Sequence, residues 1–92
     1  MILYFRHKGL QAFYEVDKTS KFPPAQLMKI RLILSTLDAA GCLADVNKPG
    51  FGLHPLTGNY KGFYAVKVNK NYRIIFQFVG EDVSDVDYLD YH

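Results

Sequence analysis

The sequence of 92 residues contains no tryptophan and a single cysteine, Cys42. One cysteine cannot close a disulfide within the chain, which is typical of a protein from a reducing compartment such as the cytoplasm. Cysteine and histidine nowhere have the spacing of a closed zinc site, so we expect neither a metal nor another cofactor. No apolar run approaches the roughly 20 residues of a membrane span. Residues 1–6 also lack the order and length of a signal peptide, so we expect no membrane anchor.

Basic residues are missing from the last part of the chain. Residues 74–92 contain five acids and no lysine or arginine, whereas residues 1–73 hold all 11 basic residues and four acids. The net charge of +2 therefore conceals a basic and an acidic part. A basic surface attracts polyanions through counterion release, so a nucleic-acid partner is permitted. A solvated basic face is the commoner outcome of such an excess.

Apolar material is plentiful. Hydrophobic residues make up 49% of the sequence and charged residues 22%, with seven phenylalanines and seven tyrosines. This composition supports a folded core and argues against disorder. Because the length fits one small domain and no repeat or low-complexity tract is present, we expect residues 1–92 to form a single domain.

Two helices are predicted in the first half of the chain. Apolar residues recur at helical spacing within residues 8–16. Pro23-Pro24 can begin a second helix, and Gly41 is placed to end it in a left-handed cap. Between them, apolar residues recur three and four positions apart, at Leu27, Ile30, Leu34 and Leu37.

The rest of the chain favours strands and loops. Residues 43–62 are rich in glycine, proline and asparagine and are predicted to form loops. From Phe63 onward, apolar and polar residues alternate with period two, and Asn69-Lys70-Asn71 suits a tight hairpin. Strands are predicted at residues 2–6, 63–68, 72–79 and 83–91. The predicted fold class is α+β, with two N-terminal helices packed on one antiparallel sheet.

Two histidines stand in places that suit chemistry. His54 lies in a loop rich in glycine and proline, and His92 is the last residue. Imidazoles exchange protons near neutral pH, so a pair of them suits general acid-base catalysis. The alternative is that both are surface histidines without a catalytic role.

Arg73 and the chain end add further candidates. An arginine on an otherwise apolar strand either pairs with an acid, here Asp87 or Asp90, or holds an anion such as a phosphate. Asp90-Tyr91-His92 places a carboxylate, a phenol and an imidazole in three consecutive positions, although chain ends usually fray and lack a chemical role.

Four segments of the sequence resemble the HigB toxins of the RelE superfamily. The similarity runs over the full length and depends on Phe5-Arg6-His7-Lys8-Gly9-Leu10, Leu53-His54-Pro55-Leu56-Thr57-Gly58, Asn71-Tyr72-Arg73-Ile74-Ile75-Phe76-Gln77-Phe78 and Asp90-Tyr91-His92. The loop, the strand and the terminal triplet are quite specific in this order and spacing.

This resemblance implies a RelE-like fold and a ribosome-dependent mRNA endonuclease. It implies a helix-turn-helix antitoxin of the HigA type as the inhibitor, the ribosomal A site and mRNA as partners, and contact with DNA only through the antitoxin. The catalytic positions that it implies are His54, Arg73, Asp90, Tyr91 and His92.

One position departs from the family pattern. HigB toxins often carry a lysine where this chain has Thr57. The loss of that cation implies that Lys48 or Lys61 replaces it from a nearby loop, or that the activity is weaker. We therefore include Lys48, Thr57 and Lys61 as candidate RNA-binding residues.

The implied reaction uses the nucleophile of RNA itself. Removal of the 2′-OH proton lets that oxygen attack the adjacent phosphorus, which requires an acid-base pair and a cation but no metal. Two alternatives stay open from the sequence: a ParE-like toxin that poisons gyrase on the same fold, and a catalytically inactive module that binds the antitoxin.

Overall fold

The computed structural model describes residues 1–90 and confirms the α+β class. Its two α-helices are α1 (Lys8–Val16) and α2 (Leu27–Ala39). An antiparallel sheet has the strand order β1-β2-β3-β4, which are His54–Pro55, Tyr64–Lys67, Tyr72–Val79 and Asp82–Asp90. Within the described residues, neither helix is long and apolar enough to cross a membrane.

The helix boundaries differ from the prediction at both ends of α2. Pro23-Pro24 begins a 3₁₀ turn at Pro24–Gln26, and the α-helix starts only at Leu27. At the other end, Ala40 is extended with φ −71° and ψ 133°. The prediction of a left-handed cap at Gly41 is therefore wrong, because the chain leaves the helix one residue earlier.

The core forms between the helices and one face of the sheet. Alternate residues of a strand point to opposite faces, so Ile74 and Phe76 belong to the main cluster, together with Leu10 and Phe13 of α1. The main cluster also takes up the apolar stripe of α2, which is Ile30, Ile33, Leu34 and Leu37. A smaller buried cluster on the other face consists of Phe63, Ala65 and Ile75.

The N-terminal segment pairs with the sheet in a different way from the predicted antiparallel strand. Ile2 and Phe5 form isolated parallel bridges with Val83 and Val86 of β4. Asp85 lies between these two bridges with φ 55°, and the β3–β4 register shifts at the same place. Such a bulge bends its strand and interrupts regular pairing, which explains why the pairing of the segment is not continuous.

The strand β1 arises inside the region that was predicted to consist of loops. His54 pairs with Ala65 and Pro55 with Tyr64. Proline is tolerated here because β1 lies at the edge of the sheet, where one side of the strand needs no donor. A strand of two residues is too short to produce a visible alternation of apolar and polar residues in the sequence.

His7 caps the start of α1 and gives the fold a dependence on pH. Its Nδ1 accepts a hydrogen bond from the Leu10 N–H at 3.1 Å, so the cap requires an unprotonated nitrogen. The ring packs against Phe22 and Tyr88, with centroids 5.7 and 5.5 Å away. Burial lowers the pKa of His7, and the charge of Asp87 opposes this effect more weakly.

A His7→Asn substitution is expected to reduce the loss of stability on acidification. The unfolded chain binds a proton at His7 near its ordinary pKa of 6.5, whereas the folded chain resists it, so acid favours unfolding. Asparagine also caps helices well but does not titrate. Urea unfolding between about pH 7.5 and 5 should show a smaller loss of stability for the variant than for the wild type. Equal losses in the two proteins would contradict a titrating cap.

Candidate active site

The face of the sheet that is turned away from the main core, called the outer face below, brings together two of the predicted residues, His54 and Arg73. Directly opposed residues of antiparallel strands share a face. The register opposes His54 to Ala65 and Ala65 to Ile75, and in the adjacent row it opposes Lys67 to Arg73 and Arg73 to Leu89. The outer face therefore collects its polar side chains from β1, β2 and β3.

His54 and Arg73 form the central pair of this face. The Nε2 atom of His54 lies 3.3 Å from Nη1 of Arg73, and Nδ1 lies 2.9 Å from the Gly52 carbonyl oxygen. A neutral imidazole with its proton on Nδ1 satisfies both contacts, because Nδ1–H donates to Gly52 and Nε2 accepts from the guanidinium. The ring is held at both nitrogens, and Nε2 is directed towards the cation.

The loop before His54 is anchored to the core at several points. Phe51 is buried in the main cluster. The Lys29 ammonium of α2 donates to the Gly50 carbonyl at 2.8 Å and lies over the Phe51 ring. The Lys67 N–H donates to the Phe51 carbonyl at 2.7 Å. These contacts give the imidazole a fixed position, which a catalytic group needs.

A cleft of about 230 Å³ opens beside this pair, lined by Leu56, Tyr60, Arg73, Leu89 and Asp90. Burial among these side chains lowers the pKa of Arg73, although an arginine keeps its charge in proteins. Tyr60 packs edge-on against Phe63 at 5.8 Å between ring centroids. The cleft therefore combines a cation and an aromatic ring, which suits a nucleotide with its phosphate.

Of the predicted terminal triplet, the structure describes only Asp90. Asp90 is the last residue of β4, is opposed to Tyr72 and borders the cleft with Arg73. Tyr91 and His92 lie outside the described residues, so their assignment to the site stays a prediction.

The three candidate RNA-binding residues do not come together. Thr57 and Lys61 are exposed and flank the 3₁₀ turn Gly58–Tyr60, which brings Tyr60 to the cleft. Lys48 lines a separate cavity with Ser35, Thr36 and Asp45. The cleft thus has a candidate cation neighbour in Lys61 but not in Lys48.

Two features were not predicted from the sequence, namely Tyr60 at the cleft and the position of Lys67 opposite Arg73. Tyr60 lies in a glycine-rich loop, where no alternation of apolar and polar residues shows which way a side chain points. Lys67 has a readable signal, since Lys67 and Arg73 are equally distant from Lys70 in the predicted hairpin. Residues placed in this way oppose each other when the strands pair.

The fold defines the class of the protein. The chain aligns with a chain of the YoeB–YefM complex from Staphylococcus aureus with a TM-score of 0.63, covering 100% of this chain and 98% of that chain at 17% identity. This likeness shows a shared fold. Residues 3–92 match the family model described as RelE-like toxin of type II toxin-antitoxin system HigB. The chain belongs to this family, which confirms both the RelE-like fold and the HigB resemblance.

Two relatives extend the family assignment. The chain is 37% identical over 92 residues to the Endoribonuclease HigB of Proteus vulgaris, with 100% of both chains covered. It is 40% identical over 94 residues to the Toxin HigB-1 of Vibrio cholerae, covering 100% of this chain and 98% of the relative.

Replacement of Gly52 by alanine is expected to disturb the site as well as the fold. Gly52 has φ +58°, and an added β-carbon would lie 3.2 Å from Cδ of Lys67. Gly58 provides the matched control, because it has φ +64° but nothing within 4 Å of an added β-carbon. Each variant should lose roughly 1–2 kcal/mol through the left-handed backbone. Gly52→Ala should lose more and should also shift the His54 Nδ1 resonance.

Urea unfolding and ¹⁵N NMR of the imidazole measure the two effects. Equal stability losses for the two alanine variants, with an unchanged His54 resonance in both, would contradict the described packing of Lys67 on Gly52.

Proposed function

We propose that this toxin is an endoribonuclease that cuts mRNA in the ribosomal A site. The observation that carries the proposal is the His54–Arg73 pair, which joins a proton-transfer group to a phosphate-binding cation at the edge of a cleft. The 37% identity to a protein named Endoribonuclease HigB supports the same activity. The reaction takes place in the cytoplasm, where the ribosomes are.

The chemistry follows from the groups present. A base takes the proton of the ribose 2′-OH, the 2′ oxygen forms a bond to the adjacent phosphorus, and the bond to the 5′ oxygen breaks. The leaving oxygen takes up a proton, which gives a 2′,3′-cyclic phosphate and a free 5′-OH. The protein supplies the acid, the base and a cation for the charged phosphorane, without a metal.

Each residue has a role in this scheme. Arg73 binds a non-bridging phosphate oxygen with its guanidinium, which releases Nε2 of His54 from the present contact. His54 and His92 transfer the protons, and Asp90 orients an imidazole or acts as the base. Tyr91 stacks on a base or donates a hydrogen bond. Tyr60 offers a second ring at the cleft for stacking.

The partners follow from the family and the proposed substrate. An antitoxin of the HigA type, with a helix-turn-helix domain, binds and inhibits the toxin, and DNA is contacted only through the antitoxin. The excess of basic residues in residues 1–73 supports binding to ribosomal RNA through its phosphates.

A cleavage assay on programmed ribosomes tests the proposal. Wild-type toxin should cut an mRNA placed in the A site and should leave an mRNA with a 2′-deoxy nucleotide at the cut site intact, because the nucleophile is missing. Both reactions are run at the same magnesium concentration, which the ribosome needs. Cleavage of the deoxy substrate would contradict the chemistry. Growth arrest with gyrase inhibition and no mRNA cleavage would favour the ParE-like alternative. The absence of both gyrase inhibition and mRNA cleavage would favour the inactive module.

Removal of Tyr91 and His92 should strongly reduce cleavage while the protein stays folded. General acid-base catalysis contributes about 10²–10⁴-fold, so the loss should fall in this range. Arg73→Ala should give a comparable loss, and the two changes should combine less than additively if the groups act together. Arg31→Ala is the control, since Arg31 pairs with Asp17 away from the cleft. Folded variants, checked by circular dichroism, that cut as fast as wild type would remove these residues from the mechanism.

A further inference from the structure

Lys67 occupies the position closest to Arg73 on the neighbouring strand. The two residues are directly opposed in the β2–β3 register. The Lys67 N–H donates to the Phe51 carbonyl, so it points away from β3 and the pair is not hydrogen-bonded. In such pairs the α-carbons lie only about 4.5 Å apart and the side chains approach more closely than at hydrogen-bonded positions.

This arrangement opposes two positive charges. Like charges at directly opposed positions of a sheet destabilise the pairing. Lys67 belongs to none of the ion pairs found among residues 1–90. An anion such as a phosphate that contacts Arg73 would also be attracted by the ammonium group of Lys67.

The stem of Lys67 is placed by the loop that also places His54. Its Cδ and Cε atoms lie 3.2 and 3.3 Å from the position that a β-carbon on Gly52 would take, so the absence of that carbon makes room for the lysine. The carbonyl of the same glycine holds Nδ1 of His54. Lys67 stands two residues from Ala65, which opposes His54, and this offset is about 7 Å along the strand.

We propose that Lys67 binds the scissile phosphate together with Arg73 and supplies the cation that Thr57 does not provide. This inference rests on the proposed ribonuclease function and names a further substrate-contacting residue of that same site. Lys67 is better placed than Lys48, which lines a separate cavity, and better than Lys61, which lies beyond the 3₁₀ turn. Because Lys67 belongs to a strand of the sheet, its position is fixed by the register rather than by a loop.

Single-turnover cleavage on programmed ribosomes at saturating toxin tests the role of the charge. Lys67→Met removes the charge and keeps a stem over Gly52, and we expect the rate constant to fall by about 10²–10³-fold, as for the loss of one group that stabilises transition-state charge. Lys67→Arg keeps the cation and should retain most of the rate. Lys70→Met changes the exposed lysine at the hairpin tip and should leave the rate unchanged. Thr57→Lys in the Lys67→Met background should recover part of the lost rate.

The outcomes separate this inference from the proposed function. A wild-type toxin that does not cut mRNA overturns the proposed function and with it the role of Lys67. A wild-type toxin that cuts, together with a Lys67→Met variant that cuts equally fast, overturns only the inference. Equal losses for Lys67→Met and Lys67→Arg, with unchanged unfolding midpoints, would also overturn it, because the effect would then not depend on the positive charge.

Discussion

Ala65 is the constraint on which the site depends, because His54 and Arg73 meet from strands that are not neighbours. β1 and β3 lie on either side of β2, so their backbones are separated by about 10 Å. The arginine side chain must reach over β2 to place Nη1 3.3 Å from Nε2 of His54. Ala65, opposed to His54 and fully buried, projects only a methyl group into this space. A larger side chain there would occupy the path between the imidazole and the guanidinium.

One face of the sheet packs against the helices, and the other face carries the candidate site. The helices cover one face and bury the main cluster, whereas the other face is covered only in part. The outer face has a small apolar cluster of Phe63, Ala65 and Ile75, around which the charged residues are arranged. Partial burial of the arginine in this partly apolar cleft lowers its pKa.

The sequence predicts the parts of the fold that repeat. The apolar stripe of α2 and the alternation along β3 extend over several turns or residues, so their periods are visible and the structure confirms both elements. The errors occur where a single residue decides the structure. Gly41 suggests a left-handed helix cap, but the chain already leaves the helix at Ala40 in an extended conformation. Asp85 introduces a bulge that limits the pairing of the N-terminal segment. β1 has only two residues and therefore no period.

The candidate site was predictable where residue type and family pattern agree. His54 and Arg73 were both identified from the sequence, and the structure brings them into contact. The sequence did not single out Lys67, because an exposed lysine on a strand usually indicates a solvated face. Its relation to Arg73 depends on the register of the hairpin, which becomes definite only when the strands are paired. Tyr91 and His92 remain sequence-based assignments.

The central claim is that His54 and Arg73 act as one unit on the scissile phosphate. A double-mutant cycle measures this directly, with single-turnover mRNA cleavage on programmed ribosomes by wild type, His54→Ala, Arg73→Ala and the double variant. The account predicts a large loss in each single variant and a loss in the double variant well below the product of the two, since groups of one catalytic unit are not additive. A loss in the double variant equal to the product of the two single losses would contradict it, and so would two folded single variants that cut at the wild-type rate.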